Sequence, residues 1–195
     1  MSSSVAADPS HEQVAQVFNL AAGDYDRPAL RFFPFCADRL VARLNPAPGE
    51  KILDVATGTG AVALGLAQAV GPTGRVTGID LAEAMLAQLT RKIEKFGIVN
   101  VDLHVMDAAA LDFRRDYFHH VTCSFGLFFL RDMAAALKDW VRVTRSGGSV
   151  TFTAFSVSAF EPMKRLLRER LQLEGVDTGS AVQAASRQLA DPDFC

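Results

Sequence analysis

A chain of 195 residues with 49% apolar side chains is long enough for one domain with a substantial core. With 20 basic residues against 22 acidic ones, the formal charge of −2 gives no basic excess to advertise a nucleic-acid partner, and no apolar run approaches the roughly 20 residues that cross a bilayer. Cys36, Cys123 and Cys195 are odd in number, far apart and without C-x-x-C spacing, which argues against a disulfide framework or a metal site and makes a reducing cytoplasm the expected compartment.

Met1–Pro9 is small and polar, lacks the basic start and apolar run of a signal peptide, and is expected to be a disordered tail (residues 1–9). Ser10-His-Glu-Gln13 reads as a capping box that opens a helix, with Val14, Val17, Phe18 and Ala21 on one face. Gly23-Asp24 ends that helix and Tyr25-Asp26 follows in a loop. A second helix is expected over Pro28–Leu44, kinked at Pro34, with Leu30, Phe33, Ala37, Leu40, Val41 and Leu44 as its core stripe. Residues 10–45 therefore form a helical cap ahead of the turn Asn45-Pro-Ala-Pro-Gly49.

The chain is organised around Lys51–Gly65, KILDVATGTGAVALG. An apolar strand (Ile52, Leu53, Val55) breaks at Thr57–Gly60 into a glycine turn, and Ala61 to Leu66 then read as the start of a helix. This is the opening half of a nucleotide-binding β-α-β unit. Gly58 and Gly60 are expected to let the backbone approach a ligand closely. Read as G-x-G-x-x-A, the turn would also suit a dinucleotide with its pyrophosphate on the helix N-terminus. Asp54 chooses between the two: a carboxylate before the turn repels pyrophosphate and favours an ammonium or sulfonium.

After Gly71–Gly74 a second strand, Arg75–Ile79, ends at Asp80, twenty residues beyond Gly60 and at the spacing of an acid that binds an adenosyl ribose. Leu81 opens a helix that reaches Phe96 and stops at Gly97. Val101–Met106 is a third strand ending at Asp107-Ala108. His119–Ser124 is a fourth. Asp132 caps a helix running through Thr144, stopped by Ser146-Gly-Gly148, and Ser149–Phe155 is the fifth strand. Ala159–Leu173 reads as a further amphipathic helix with a solvated basic face.

These strings resemble the class I S-adenosylmethionine-dependent methyltransferases. DVATGTG matches the family's acidic-x-G-x-G motif, TGIDLAEAML its second motif, and WVRVTRSGGSV its fifth-strand approach. VFNLAAGDYDRP is similar to the N-terminal cap of the ubiquinone/menaquinone C-methylating group, where the cap covers the cofactor. The resemblance implies a three-layer α/β sandwich, a Rossmann-like, mostly parallel sheet in the order 3-2-1-4-5, with an α/β domain over residues 46–174. It implies S-adenosylmethionine as cofactor, held by Tyr25 as a lid, Asp54, Ala56, Thr57, Gly58, Gly60, Asp80 on the ribose, Leu81, Met85, Asp107 on the adenine amino group, Ala108 and Ser124. It also excludes an amino-methylating DNA enzyme, since Ser124-Phe-Gly-Leu127 stands where those carry Asp/Asn-Pro-Pro-aromatic.

The expected activity is methyl transfer to a small apolar or aromatic acceptor by in-line displacement; the alternatives are a nicotinamide-dependent oxidoreductase and a non-catalytic cofactor-binding scaffold. No catalytic residue and no metal ligand stands out. His119 and His120 start the fourth strand on the wrong edge, His104 lies roughly 10 Å back along its strand, and Cys123 reads as filler inside its strand. Only His11, in the cap, is placed to reach the pocket. Phe32, Phe33, Phe35, Phe125, Phe128 and Phe129 are expected to converge as a wall for a quinol, phenol or lipid-like acceptor. The family carries two further strands, whereas Gly175–Cys195 is a polar tail. The fifth strand is therefore expected to be an open edge through which two copies associate.

Overall fold

The computed structural model describes residues 11–156, 158–161, 165–166 and 169–170. Most of the helix expected over Ala159–Leu173, and all of the tail over Gly175–Cys195, lies outside the described residues. Five strands make the frame: β1 (Lys51–Val55), β2 (Arg75–Asp80), β3 (Val101–Val105), β4 (Phe118–Ser124) and β5 (Thr144–Thr153). All four pairings are parallel and the order is β3-β2-β1-β4-β5. The order reverses between β1 and β4, which opens a crevice at their C-terminal ends.

Alternation along β1 shows why the sheet needs a layer on each side. Ile52 joins a core with Ala37 and Leu40 of α2 (Phe32–Leu44), Val62 and Leu66 of α3 (Ala61–Val70), and Leu89 of α4 (Glu83–Phe96). Leu53 and Val55 face the other way, into a core with Phe118, Val121, Leu127 and the α5 (Met133–Val143) residues Ala136 and Trp140. Successive side chains of a strand point to opposite faces, so a strand apolar throughout must be covered twice. That gives three layers.

The structure corrects three local expectations. Residues 28–44 do not form one kinked helix: a single 3-10 turn, Pro28–Leu30, precedes α2, and Pro34 falls in the first turn of α2, where a missing N–H costs nothing. The helix α1 (His11–Ala21) turns a different face inward: His11, Val14, Ala15 and Phe18 line the central cavity, while Val17 is 63% exposed. The i, i+3, i+4, i+7 spacing is as expected, and the set is shifted by three residues toward the N-terminus, keeping Val14 and Phe18. Ser146-Gly-Gly148 does not stop α5. That helix ends at Val143, and β5 starts at once with an irregular register between the Phe118–Thr144 and His120–Ser149 pairs. Gly148 is required there, because a Cβ would sit 2.2 Å from the His119 carbonyl oxygen.

Candidate functional site

Three carboxylates stand at the C-terminal ends of β1, β2 and β3, and each is wired in the same way. Asp54 accepts from Thr57 Oγ1, three residues on, and from Thr122 Oγ1 on β4, both at 2.7 Å. Asp80 accepts from the Ala82 amide at 2.9 Å and from the Gly58 amide at 2.8 Å. Asp107 accepts from the Ala109 amide at 2.8 Å and holds His11 Nδ1 at 2.7 Å. In every case one oxygen is fixed by a close neighbour in sequence and the other by a distant element. A carboxylate has about four lone-pair sites, so these bonds do not exhaust the acceptor capacity of Asp80 and Asp107.

Asp54 differs from the other two in depth. It is 1% exposed, and burial pushes its carboxyl up to about 6 despite the two threonine hydroxyls that favour the anion. The negative charge of Asp80 adds to that rise. Burial raises Asp80 as well, against the amides of Ala82, Gly58 and Leu81. The threonine pair thus holds a negative group on the floor of the crevice.

The glycine turn divides its labour differently from the expectation. Gly58 has a left-handed backbone (φ +56) with open space where a Cβ would point, and it lines both the larger and the smaller cavity. Gly60 lines neither. Its φ is +88, and a Cβ there would lie 2.2 Å from Leu89 Cδ1. Gly60 therefore lets α4 pack against the turn, and Gly58 is the glycine of the turn that faces the cavities. Ala56 adopts a left-handed φ of 52, and across the switch point Phe125 does the same at 56. Gly126 fits between Ala56 and Cys123, where a Cβ would come within 2.7 Å and 2.9 Å of their side chains.

The larger cavity collects Tyr25, Ala56, Gly58, Asp80, Leu81 and Met85. Asp107, Ala108 and Ser124 line it as well. The smaller one collects Tyr25, Asp54, Ala56, Thr57, Gly58 and Ser124. Every expected binding residue except Gly60 thus lies on one or both. Trp140 donates from Nε1 to the Ala108 carbonyl at 2.8 Å, which braces the loop after β3 from beneath. Tyr25 bridges the two cavities and stacks on Phe33, with centroids 5.3 Å apart and planes at 16°. Burial first, then the charges of Asp80 and Asp26, hold its hydroxyl up at about 12. At neutral pH it is a hydrogen-bond donor and not a base.

Polar ties fasten the cap over this crevice. Asp26 accepts from Thr59 Oγ1 at 2.8 Å and pairs with Lys92 of α4 at 2.7 Å. Asn19 Oδ1 accepts from the Ala84 amide at 2.9 Å, so α1 supplies a capping group to α4 that α4 does not carry itself. Asp26 and Asn19 were legible only as polar residues in a helix and a loop, because their partners lie far away in sequence.

The aromatic wall forms, with changed membership. Phe32 and Phe33 are 4.1 Å apart, and Phe125 packs on Phe33 at 5.4 Å. Phe155 stacks on Phe125 at 4.5 Å and 25°, and Phe160 reaches both Phe155 and Phe32. Phe18 of α1 meets Phe129 edge-on at 5.4 Å. Phe35, expected in the wall, is instead 59% exposed with Arg39 over its ring. Phe35 is two residues from Phe33 and faces about the opposite side of α2 from it, although it is three residues from Phe32. Phe155 had a signal in its position just past β5, at the same sheet edge as Phe125. Cys123 is buried beneath the wall, and burial together with Asp54 pushes its thiol up to about 12, as suits an inert filler.

A family model described as the ubiE/COQ5 methyltransferase family matches residues 6–169. Among curated proteins, aklanonic acid methyltransferase DauC of Streptomyces sp. (strain C5) is 35% identical over 73% of this chain and 65% of its own length. The ubiquinone/menaquinone biosynthesis C-methyltransferase UbiE of Burkholderia cenocepacia (strain HI2424) is 35% identical over 83% of this chain and 68% of its own. The demethylmenaquinone methyltransferase of Geobacillus kaustophilus (strain HTA426) is 37% identical over 70% and 60%. The chain thus spans about two thirds of the length of these relatives. Among solved structures, a SAM-dependent methyltransferase from Aquifex aeolicus superimposes with a TM-score of 0.64 at 20% identity, covering 83% of this chain and 90% of that one. The 4+2 cyclase SpnF reaches 0.63 at 21%, covering 73% and 59%. Both share the fold.

Proposed function

This chain belongs to the ubiE/COQ5 methyltransferase family, and from that premise we propose that it transfers a methyl group from S-adenosylmethionine to a small apolar or aromatic acceptor. The observation that carries the reading is the row of three carboxylates along one crevice, each held by a short-range and a long-range hydrogen bond. The reading as a nicotinamide-dependent oxidoreductase falls with the family match. Bound S-adenosylmethionine supplies an electrophilic methyl on a positive sulfur.

The residues suit that ligand in three places. Asp80 offers its remaining acceptor capacity to the ribose hydroxyls, with its orientation set by the Gly58 and Ala82 amides. Asp107 and Ala108 take the base, while Leu81 and Met85 add apolar contact. Asp54, Thr57 and Gly58 receive the ammonium of the amino-acid end in the smaller cavity, where an anion kept from water attracts a cation far more strongly than at the surface. Tyr25 and Phe33 close over it. The apolar rings of Phe33, Phe125 and Phe129 then exclude water and hold a flat acceptor against the methyl, and positioning of this kind can supply much of the rate.

Among the described residues of the smaller cavity, the titratable side chains are Tyr25 and Asp54. An acceptor whose own pKa is low enough, such as an enolic or phenolic compound, needs no stronger protein base. Among the described residues no helix is long and apolar enough to cross a membrane; a cytoplasmic setting belongs to the same proposal. So does pairing of two copies along β5, which is an edge of the sheet among the described residues.

The activity is tested by incubating the purified chain with S-adenosylmethionine and a panel of phenols and quinols, following S-adenosylhomocysteine formation. Turnover above the acceptor-free rate supports transfer. Tight cofactor binding with no turnover on any member favours a non-catalytic cofactor-binding domain, a possibility kept open by the 4+2 cyclase that shares the fold.

A further inference from the structure

His11 carries a polar atom that the roles above leave without a purpose. Its ring starts α1, with Nδ1 2.7 Å from Asp107 Oδ2. Its Nε2 is shielded from solvent and has no hydrogen-bond partner. The same ring lines the larger cavity, beside Met106, Asp107 and Ala108. A buried ring nitrogen without a partner is destabilising, and such atoms in native proteins call for an explanation. A ligand in that cavity would supply the missing partner.

The strand order says which part of a ligand that is. From the switch point the carboxylates run Asp54, Asp80, Asp107 along β1, β2 and β3. A nucleoside with its ribose on Asp80 and its charged tail at Asp54 extends its base toward Asp107, so His11 faces the base and is remote from the reacting methyl. We propose that His11 reads the exocyclic amino group of adenine, together with Asp107, and so couples recognition of the nucleobase to seating of the cap helix. This rests on the assignment of the crevice to an adenosyl cofactor.

The hydrogen-bond chemistry is specific. With its Nδ1 proton given to Asp107, the neutral ring presents an acceptor at Nε2; this tautomer is assigned from the carboxylate partner. Asp107 contributes a second acceptor. An amino group has two N–H donors and satisfies both, whereas a carbonyl at that position brings an acceptor against two acceptors. The pair is therefore an adenine-over-hypoxanthine filter, half of it delivered by the cap. Asn19 and Asp26 also fasten the cap and touch no base-facing residue in the larger cavity, which sets His11 apart.

Calorimetry with S-adenosylhomocysteine and its deaminated analogue S-inosylhomocysteine tests the filter in the full chain, in His11→Phe and in His11→Gln. The wild type should prefer the adenosyl compound at least tenfold. In His11→Phe that ratio should fall about fivefold, through weaker adenosyl binding, with inosyl affinity within twofold of wild type. His11→Gln, which keeps an acceptor oxygen, should restore part of the ratio. The ratio is measured on one protein sample, so a partly unfolded variant cancels out. An unchanged ratio, or equal loss for both compounds, would overturn the role of His11 and leave the cofactor reading intact. Failure of the wild type to bind either compound would overturn the cofactor reading and this inference with it.

Discussion

The two ends of the crevice are built on different plans. At the cofactor end, each carboxylate takes one bond from a residue two or three positions away, Thr57, Ala82 or Ala109. Those bonds orient the side chains from within their own short segments. At the aromatic end the contacts mostly join distant segments: Phe32 and Phe33 come from α2, Phe125 from the end of β4, and Phe155 and Phe160 from beyond β5. Ring contacts tolerate several geometries. The cofactor end is therefore suited to one ligand, and the acceptor end can be reshaped for many without disturbing it.

The comparison predicts that damage at each end stays at that end. The largest effect is expected on stability from Gly60→Val, which combines a left-handed backbone with a clash against Leu89 and should cost about 3–4 kcal/mol. Gly58→Ala, with open space at its Cβ, should cost only about 1 kcal/mol and act mainly on cofactor affinity. Urea melts of the two variants check this; equal destabilisation would contradict the division of labour within the turn.

Next in size is the pH response of Asp54. Its folded carboxyl sits at about 6, above the ordinary 3.8, so it binds a proton more tightly in the folded state. The stability this contributes is complete below about pH 4 and is lost as pH rises through about 6, and a shift of roughly two units corresponds to about 3 kcal/mol. The difference in unfolding free energy between wild type and Asp54→Asn should shrink by that order from pH 4 to pH 7. Over the same range S-adenosylmethionine, being cationic, should bind more tightly to the wild type as Asp54 ionises. A difference that is flat with pH would show that Asp54 is already charged in the folded protein at pH 4.

Asp80→Ala removes a charged acceptor and should weaken S-adenosylhomocysteine by about 1–3 kcal/mol in calorimetry. If affinity is unchanged, Asp80 serves only to cap Ala82. At the other end, Phe125→Ala should raise KM for an apolar phenol or quinol about tenfold, or about 1.4 kcal/mol, with cofactor affinity within twofold. Loss of cofactor binding in that variant would mean that the two ends are not separable. The smallest effect, none beyond twofold on either ligand, is expected for Phe35→Ala, since that ring faces solvent beside Arg39.

The same contrast explains what the chain disclosed by itself. The glycine turn and the three acids are readable because each is encoded in a short run (an apolar strand, then a carboxylate, then a turn or helix start), and the strand order follows from the family resemblance those runs carry. Asp54, Asp80 and Asp107 could be named from their positions alone. What stayed hidden was tertiary. The separation of Gly58 from Gly60 depends on where Leu89 of α4 arrives. The inward face of α1 depends on the seat it takes over the crevice, which brings His11 to Asp107 across 96 residues of sequence. Phe35 was placed in the wall by kinship with its neighbours, although helical rotation carries it away. Ser146-Gly-Gly148 reads as a helix stop because paired glycines resemble one, whereas a strand passes there close against His119.

The central claim is that this crevice holds an adenosyl group together with an amino-acid tail whose ammonium meets Asp54. Titration calorimetry of the purified chain with S-adenosylhomocysteine and, separately, with NAD tests it most directly. The account predicts one-to-one binding of S-adenosylhomocysteine, weakened in Asp80→Ala, and no heat from NAD. Binding of NAD in preference to S-adenosylhomocysteine would contradict it.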